Sequence, residues 1–355
     1  MDGIPVPRCS VADLAEGAAA GPLLGENGEV IDPLLFVDLG PADAGTLGAA
    51  THAVATAHRV LVGVVTGEPD ERWRGLARAL DVTLVPGGAA RLGPEFACGG
   101  DPVADAAALH AAATACPRAT LTLAQVLRAT EPLGVRAALD VESFAYSTLL
   151  GGAEFARWLS ARGTRPLPPP AAEPVLLARA DGLLRITLNR PERRNAYGRE
   201  LRDALTDALR LATVDDTITR VVLDGAGPSF CAGGDLDEFG TTPDLATAHL
   251  VRTRAGAGPL LHTLAERAEV RVHGSCVGAG IELPAFAGRV VAAPGTTFRL
   301  PEVSMGLLPG AGGTVSIPRR IGRWRTLFAA LSGRAIDTDT ALEWGLVDAV
   351  ESGPS

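Results

Sequence analysis

Two glycine-rich turns and two glutamates are the residues of this chain whose types and spacing bear most directly on chemistry. The first turn, Ser229-Phe-Cys-Ala-Gly-Gly-Asp-Leu-Asp-Glu-Phe239, follows a predicted strand that ends near Asp224. Small residues at 232–234 leave backbone N–H groups unshielded, free to point at a ligand. The second turn, His273-Gly-Ser-Cys-Val-Gly-Ala-Gly-Ile-Glu-Leu283, follows another predicted strand and opens a helix. There, unpaired N–H groups and the helix dipole favour negative charge. Either turn alone is also what a plain strand-to-helix connection looks like. Glu282 opens the helix of the second turn. Glu302 follows 20 residues later, inside Phe298-Arg-Leu-Pro-Glu-Val-Ser-Met-Gly-Leu-Leu-Pro-Gly-Ala-Gly-Gly-Thr314. Each Glu alone reads as a solvated charge or a helix cap. Both, however, stand in apolar, glycine-rich surroundings, where burying a carboxylate is costly and raises its pKa towards the range useful for proton transfer. Two carboxyls beside two oxyanion-type turns suggest proton movement coupled to charge developing on an oxygen.

Other chemistries find less support. All 32 cationic residues are Arg, so a Schiff-base lysine and a P-loop lysine are both impossible. None of the six histidines lies in an HExxH, and neither a GxSxG nor a well-placed GxGxxG occurs. The five cysteines, Cys9, Cys98, Cys116, Cys231 and Cys276, are odd in number and form no CxxC. No disulfide framework and no metal site are expected, which fits a reducing compartment. Cys231 and Cys276, beside the turns, read as packing residues, since no partner base is visible. A net charge of −9 argues against a nucleic-acid partner, although a local basic pocket for one anionic ligand remains compatible. The N-terminus shows no basic region followed by an apolar stretch, and no run of about 18 apolar residues occurs. The expectation is a cytoplasmic protein without membrane contact.

The elements that must position these residues read as α/β. A length of 355 residues suggests about two domains, and 47% hydrophobic against 21% charged residues allows a sizeable core. With 4% aromatics that core must be mostly Ala, Val and Leu. Five prolines within Gly163–Pro174 predict an extended linker between two halves. In the second half, strands are predicted at Leu184–Leu188, Arg220–Asp224, Glu269–His273 and Val290–Ala293, with a helix over 198–212. Strands separated by helix-length segments imply parallel βαβ units. The first half repeats this weakly, with strands at Leu35–Leu39, Val60–Gly67 and Asp81–Val85 and a helix over 42–57. After Asp101 it turns Ala-rich and helical, over 103–115, 120–130 and 134–162.

The second half resembles the crotonase (enoyl-CoA hydratase/isomerase) superfamily. The resemblance is carried by Ile186-Thr-Leu-Asn-Arg-Pro-Glu-Arg-Arg-Asn-Ala196, Ser229–Phe239, Gly274–Leu283, Pro301–Thr314 and Ala341-Leu-Glu-Trp-Gly-Leu-Val-Asp348, over about 175 residues. It implies a crotonase-like ββα superhelix, parallel strands with flanking helices. It also implies an acyl-CoA thioester whose oxygen sits between the N–H groups of Gly234 and Ala279. One such preoriented donor is typically worth about 3–4 kcal/mol. Glu282 and Glu302 fall on the family's two glutamate positions. Glu302 would exchange the proton at the α-carbon, and Glu282 would orient and activate water. Arg193, Arg194, Ala232, Asp235 and Leu236 fall where substrate and CoA bind. Phosphate contact suits Arg193 and Arg194, although a solvated loop charge is the plain alternative. Asp235 and Asp237 are expected to hold the first turn without a catalytic role. Arg299 and Trp324 are further pocket candidates that spacing does not decide. No cofactor is implied beyond CoA as part of the substrate.

One departure concerns the helices that family members place after a Gly-Leu-Val-Asp segment, where they cover the active site and build trimers. Here the sequence ends seven residues after Asp348. Residues 104–162 resemble that helical tail, especially Ala115-Cys-Pro-Arg-Ala-Thr120 and Ala138–Trp158. The chain therefore reads as two related units. Residues 1–165 would be a degenerate, structural crotonase-like unit ending in the tail module, without an equivalent Glu pair; Phe96-Ala-Cys-Gly-Gly-Asp101 echoes the first turn but comes after the third strand rather than the second. Residues 174–355 would be the catalytic core without its own tail. The expected activity is hydration or dehydration of an acyl-CoA. The alternatives are isomerisation, thioester hydrolysis, decarboxylation or cofactor-independent oxygenation, or else a non-catalytic interaction subunit. A homo-oligomer, trimer or hexamer, is expected.

Overall fold

Short runs rich in Val and Leu form two mainly parallel sheets. The computed structural model describes residues 6–87, 92–163, 165–167, 169–170 and 172–352. The first sheet contains β1 (Arg8–Ser10), β2 (Leu34–Asp38), β3 (Val60–Val64), β4 (Val82–Leu84) and β5 (Phe96–Ala97). Its strands lie side by side in sequence order, each parallel to the next. β3 is buried at every position, as expected of a parallel strand covered on both faces. The connections carry α1 (Val11–Ala15), α2 (Ala44–Val54) and α3 (Arg74–Ala79). Four helices follow: α4 (Pro102–Ala115), α5 (Pro117–Thr130), α6 (Val135–Leu150) and α7 (Ala153–Arg162). Pro102 and Pro117 each open a helix, where the missing N–H costs nothing.

The second half begins with a hairpin of β6 (Val175–Ala180) and β7 (Leu183–Leu188), turned at Asp181-Gly182 with φ of 47° and 77°. It continues through α8 (Arg199–Val214), β8 (Arg220–Gly225), α9 (Leu245–Ala255), α10 (Gly258–Thr263), β9 (Ala268–Val272), β10 (Ser275–Val277), α11 (Ala279–Glu282), β11 (Arg289–Ala292) and β12 (Thr297–Arg299). Last come α12 (Gly313–Ser332), α13 (Thr338–Trp344) and β13 (Ala349–Val350). The sheet order is β13-β11-β9-β8-β7-β6, parallel except for β6, while β10 pairs with β12 as a small second layer. The chain is thus an α/β protein of parallel strands flanked by helices.

The two halves share one core. A contiguous apolar cluster runs from Phe36 and Val62 of the first sheet, through Leu109 and Leu123 of α4 and α5, to Leu223 and Leu327. α12 lies at the junction and packs on α4, α5 and α6. It kinks at Gly322, where φ is 82° and an added Cβ would stand 2.8 Å from the Cβ of Pro94. Beyond the kink, Trp324 Nε1 donates to Leu80 O (3.0 Å), and Arg325 donates to Phe96 O (3.2 Å) and Gly93 O (3.0 Å). A second apolar cluster, with Leu14, Leu61 and Leu76, belongs to the first half alone. No helix of the described residues is long and apolar enough to cross a membrane.

Candidate active site

The first turn is held from below by Asn195, which is fully buried with φ of 53°. Its Oδ1 accepts from Arg190 N (2.7 Å), and its Nδ2 donates to Ala226 O (2.9 Å) and Ser229 O (3.0 Å). Arg193 clasps the turn from the side. It donates to both oxygens of Asp235 (3.0 and 2.6 Å) and to Asp237 (2.8 Å), and Arg162 of α7 reaches Asp237 at 2.5 Å. Tyr197 N donates to Gly233 O (2.7 Å) and Asp235 N to Tyr197 O (3.4 Å). The intervening N–H of Gly234 has no acceptor among the described residues.

The second turn packs backbone to backbone on the first. Cys231 and Cys276 form an isolated parallel bridge, and Val277 N donates to Cys231 O (3.1 Å). Only glycine fits at the closest approach, because a Cβ on Gly280 would collide with Cys231 O. Burial raises both thiols, which disfavours thiolate chemistry and fits their packing role. α11 begins at Ala279, one residue after Gly278, whose φ is 49°. As the first residue of a helix, Ala279 has no intrahelical acceptor for its N–H, and none of the described residues supplies another.

Five carboxyls line the same cavity, those of Glu142, Asp235, Glu238, Glu282 and Glu302, and three of them, one more than the sequence suggests, are held well above the usual carboxylate range. Glu282 ends α11 rather than opening it; its Oε2 accepts from Ala311 N (2.8 Å) and Gly313 N (2.9 Å). Glu142 of α6 takes the alternate groups. Its Oε1 accepts from Gly312 N (2.8 Å), and its Oε2 from Thr314 N (2.9 Å) and Thr314 Oγ1 (2.7 Å). Four consecutive N–H groups of one turn are thus divided between carboxyls from opposite halves of the chain. Glu302 follows β12, and its buried Oε2 has no hydrogen-bond partner among the described residues. Gly278 separates it from Glu282: a Cβ there would collide with Glu302 and touch Glu282 Oε1 at 3.5 Å.

Burial is the largest cause of a raised pKa in all three. Glu282 is pushed up to about 7, with its two N–H donors opposing the rise. Glu142 is pushed up to about 8 by burial and then by Glu282. Glu302 is raised well above the usual carboxylate range by burial and then by Glu282. The cavity, of about 450 Å³, is lined among others by Gly234, Asp235, Ala279, the glutamates Glu142, Glu238, Glu282 and Glu302, and Leu139, Ser143, Tyr146 and Leu150 of α6. One helix from before the proline-rich segment, α6, therefore walls the site within one chain.

The structure brings together Gly234, Ala279, Glu282 and Glu302. Arg193, Arg194, Ala232 and Leu236 stand outside the cavity wall. Arg193 is engaged with Asp235 and Asp237, and Arg194 is exposed. Asp235 lines the wall but is paired. Arg299 and Trp324 do not line it: Arg299 bonds Gly333 O and Trp324 turns to the first half. Glu142 escaped sequence reasoning, although Ala138, Glu142, Tyr146 and Leu149 recur at helical spacing on a face that had to be buried.

The enoyl-CoA hydratase/isomerase family model matches residues 178–353. "2,3-Dehydroadipyl-CoA hydratase" of Escherichia coli strain K12 is 36% identical over 176 residues, covering 50% of this chain and 68% of that protein. The chain belongs to the enoyl-CoA hydratase/isomerase family. "1,2-Epoxyphenylacetyl-CoA isomerase" of the same strain is 36% identical over 174 residues, covering 47% of this chain and 65% of that protein. A solved structure named as a putative enoyl-CoA hydratase/carnithine racemase from Magnetospirillum magneticum AMB-1 is 28% identical, with a TM-score of 0.47, covering 51% of this chain and 71% of that one. The chain thus spans about two thirds of the length of these family members, and its helices α4–α7 lie outside the matched segment.

Proposed function

We propose that the protein hydrates an enoyl-CoA, or dehydrates the 3-hydroxyacyl-CoA in reverse. The observation that carries this reading is one cavity in which two N–H groups without an acceptor among the described residues, at Gly234 and Ala279, stand beside the carboxyls of Glu282 and Glu302. The thioester oxygen would accept from both N–H groups, which then stabilise the negative charge of an enolate-like state. Glu282 is poised near neutrality, so it serves as the base that takes a proton from water as the oxygen bonds to C3 of the acyl chain. Glu302, strongly raised, holds the proton that is delivered to C2. Paired carboxyls whose surroundings push their pKa values apart suit such an acid–base division. The substrate carries its own CoA, with Arg194 and the first turn at the nucleotide side, and no metal or further cofactor is invoked.

The test is loss of enoyl-thioester absorbance with crotonyl-CoA and longer enoyl-CoA esters. Glu302→Gln and Glu282→Gln should each lower turnover by about 100- to 10,000-fold with the fold retained. A wild-type rate in Glu302→Gln overturns the hydratase reading. The matching family model is described as enoyl-CoA hydratase/isomerase, so the second reading is double-bond migration. It predicts product formation without incorporation of labelled solvent oxygen.

A further inference from the structure

Three arginines line the cavity: Arg199, Arg202 and Arg252. Arg199 stands at the exposed rim, and Arg202 pairs with Asp203. Arg252 of α9 differs from both. It is half-buried, and its hydrogen-bond partners are all neutral. Nε donates to Ser143 Oγ (3.0 Å), while Nη2 donates to Ser143 O (3.2 Å) and to Ser147 Oγ. The guanidinium lies over the ring of Tyr146, 4.7 Å from its centre. No carboxylate pairs with it among the described residues, and its Nη1 makes no hydrogen bond there. Burial works against its charge, offset by Tyr146 and, to a smaller extent, by Glu142, whose oxygens already accept from three donors on the 312–314 segment.

α6 therefore fixes the plane of a guanidinium with one face on an aromatic ring and one nitrogen unused. A half-buried cation on a cavity wall, without an acid of its own, favours an anionic ligand, and guanidinium geometry suits a carboxylate. The Tyr146 ring also abuts the turn that holds Glu282 and Glu142, since a Cβ on Gly310 would collide with it. One aromatic ring thus separates Arg252 from the reacting carboxyls. We propose that Arg252 binds a carboxylate at the far end of the acyl chain, so that the site favours thioesters of dicarboxylic acids over simple fatty acyl-CoA. This rests on the acyl-CoA reading above.

The test is equilibrium binding to the full chain of saturated, unreactive pairs: succinyl- against butyryl-CoA, glutaryl- against pentanoyl-CoA, and adipyl- against hexanoyl-CoA. In at least one pair the carboxylate-ended ester should bind about 10- to 100-fold tighter, as hydrogen bonds to charged groups typically provide. In Arg252→Gln that ratio should fall close to one. A ratio near one for every pair with the unaltered protein overturns the inference and leaves the acyl-CoA reading standing. Equal weakening of both members by Arg252→Gln also overturns it, and assigns the guanidinium to the CoA moiety. Absence of binding by any ester overturns both readings. If Arg252→Gln fails to fold, the ratio in the unaltered protein decides alone.

Discussion

The carboxylate of Glu142 takes two N–H groups and a hydroxyl from the turn that also holds Glu282, so altering it changes geometry and charge together. In Glu142→Gln one of those buried N–H groups meets another donor, a loss of about 1–3 kcal/mol. Above about pH 8, where Glu142 is ionised, the variant also removes a negative charge that helps hold the proton on Glu302. Glu142→Gln should therefore melt earlier, and its pH–rate profile should move to lower pH, read against the unaltered enzyme in the same buffers. A lower melting temperature with an unmoved profile would leave Glu142 a structural role only. The same raised carboxyls govern stability. Their pKa values are higher in the folded state than in the unfolded one, so the stability they contribute is complete below the ordinary carboxylate range. It is lost as pH rises through about 7 for Glu282 and about 8 for Glu142. The thermal midpoint should fall between about pH 5 and pH 9, and a Glu302→Gln variant should fall less steeply. A midpoint independent of pH in that window would mean that the cavity is wetter than its burial implies.

The two turns depend on their close backbone approach, which Gly280 permits. Gly280→Ala adds a methyl against Cys231 O and must push α11 away from the first turn. Overpacking of this kind costs about 1–3 kcal/mol, and the shift displaces the Ala279 N–H. We expect kcat to fall with little change in KM, checked by steady-state kinetics on a soluble variant. Much at this scale is legible in the sequence. Arg220–Asp224 and Leu184–Leu188 are read within a residue or two because apolar side chains recur in them, and the turns are read because clustered small residues have few other uses. β6 is missed although Asp181-Gly182 is a strong hairpin signal, because Val175–Ala180 lies exposed at the sheet edge and shows no alternation. Arg193 is read as a phosphate ligand because its motif is local. Its partners Asp235 and Asp237 lie more than forty residues on, and only folding brings them near. Glu142 is hidden for the same reason, since a single acid on an amphipathic helix has an ordinary explanation until its distant donors are known.

For the whole molecule, the shared core means that neither half has a finished surface of its own. Removing residues 1–173 would expose the faces of α9 and α12 that α4, α5 and α6 cover. Residues 174–355 expressed alone should sediment as aggregate, and co-expression with 1–165 should restore a soluble complex. A soluble, monodisperse and fully active fragment would show that the first half is dispensable. We propose further that the whole chain self-associates, which sedimentation of the intact protein tests. The order of the halves also has a temporal side. The donors that hold Glu142 lie 170 and 172 residues beyond it, so α6 leaves the ribosome long before the turn it will grip has been translated. At about 5–20 residues per second that delay is roughly 10–35 seconds. During this interval Leu139 and Tyr146 face water, and the newborn first half must be shielded, or must tolerate exposure, until the second half arrives to cover it.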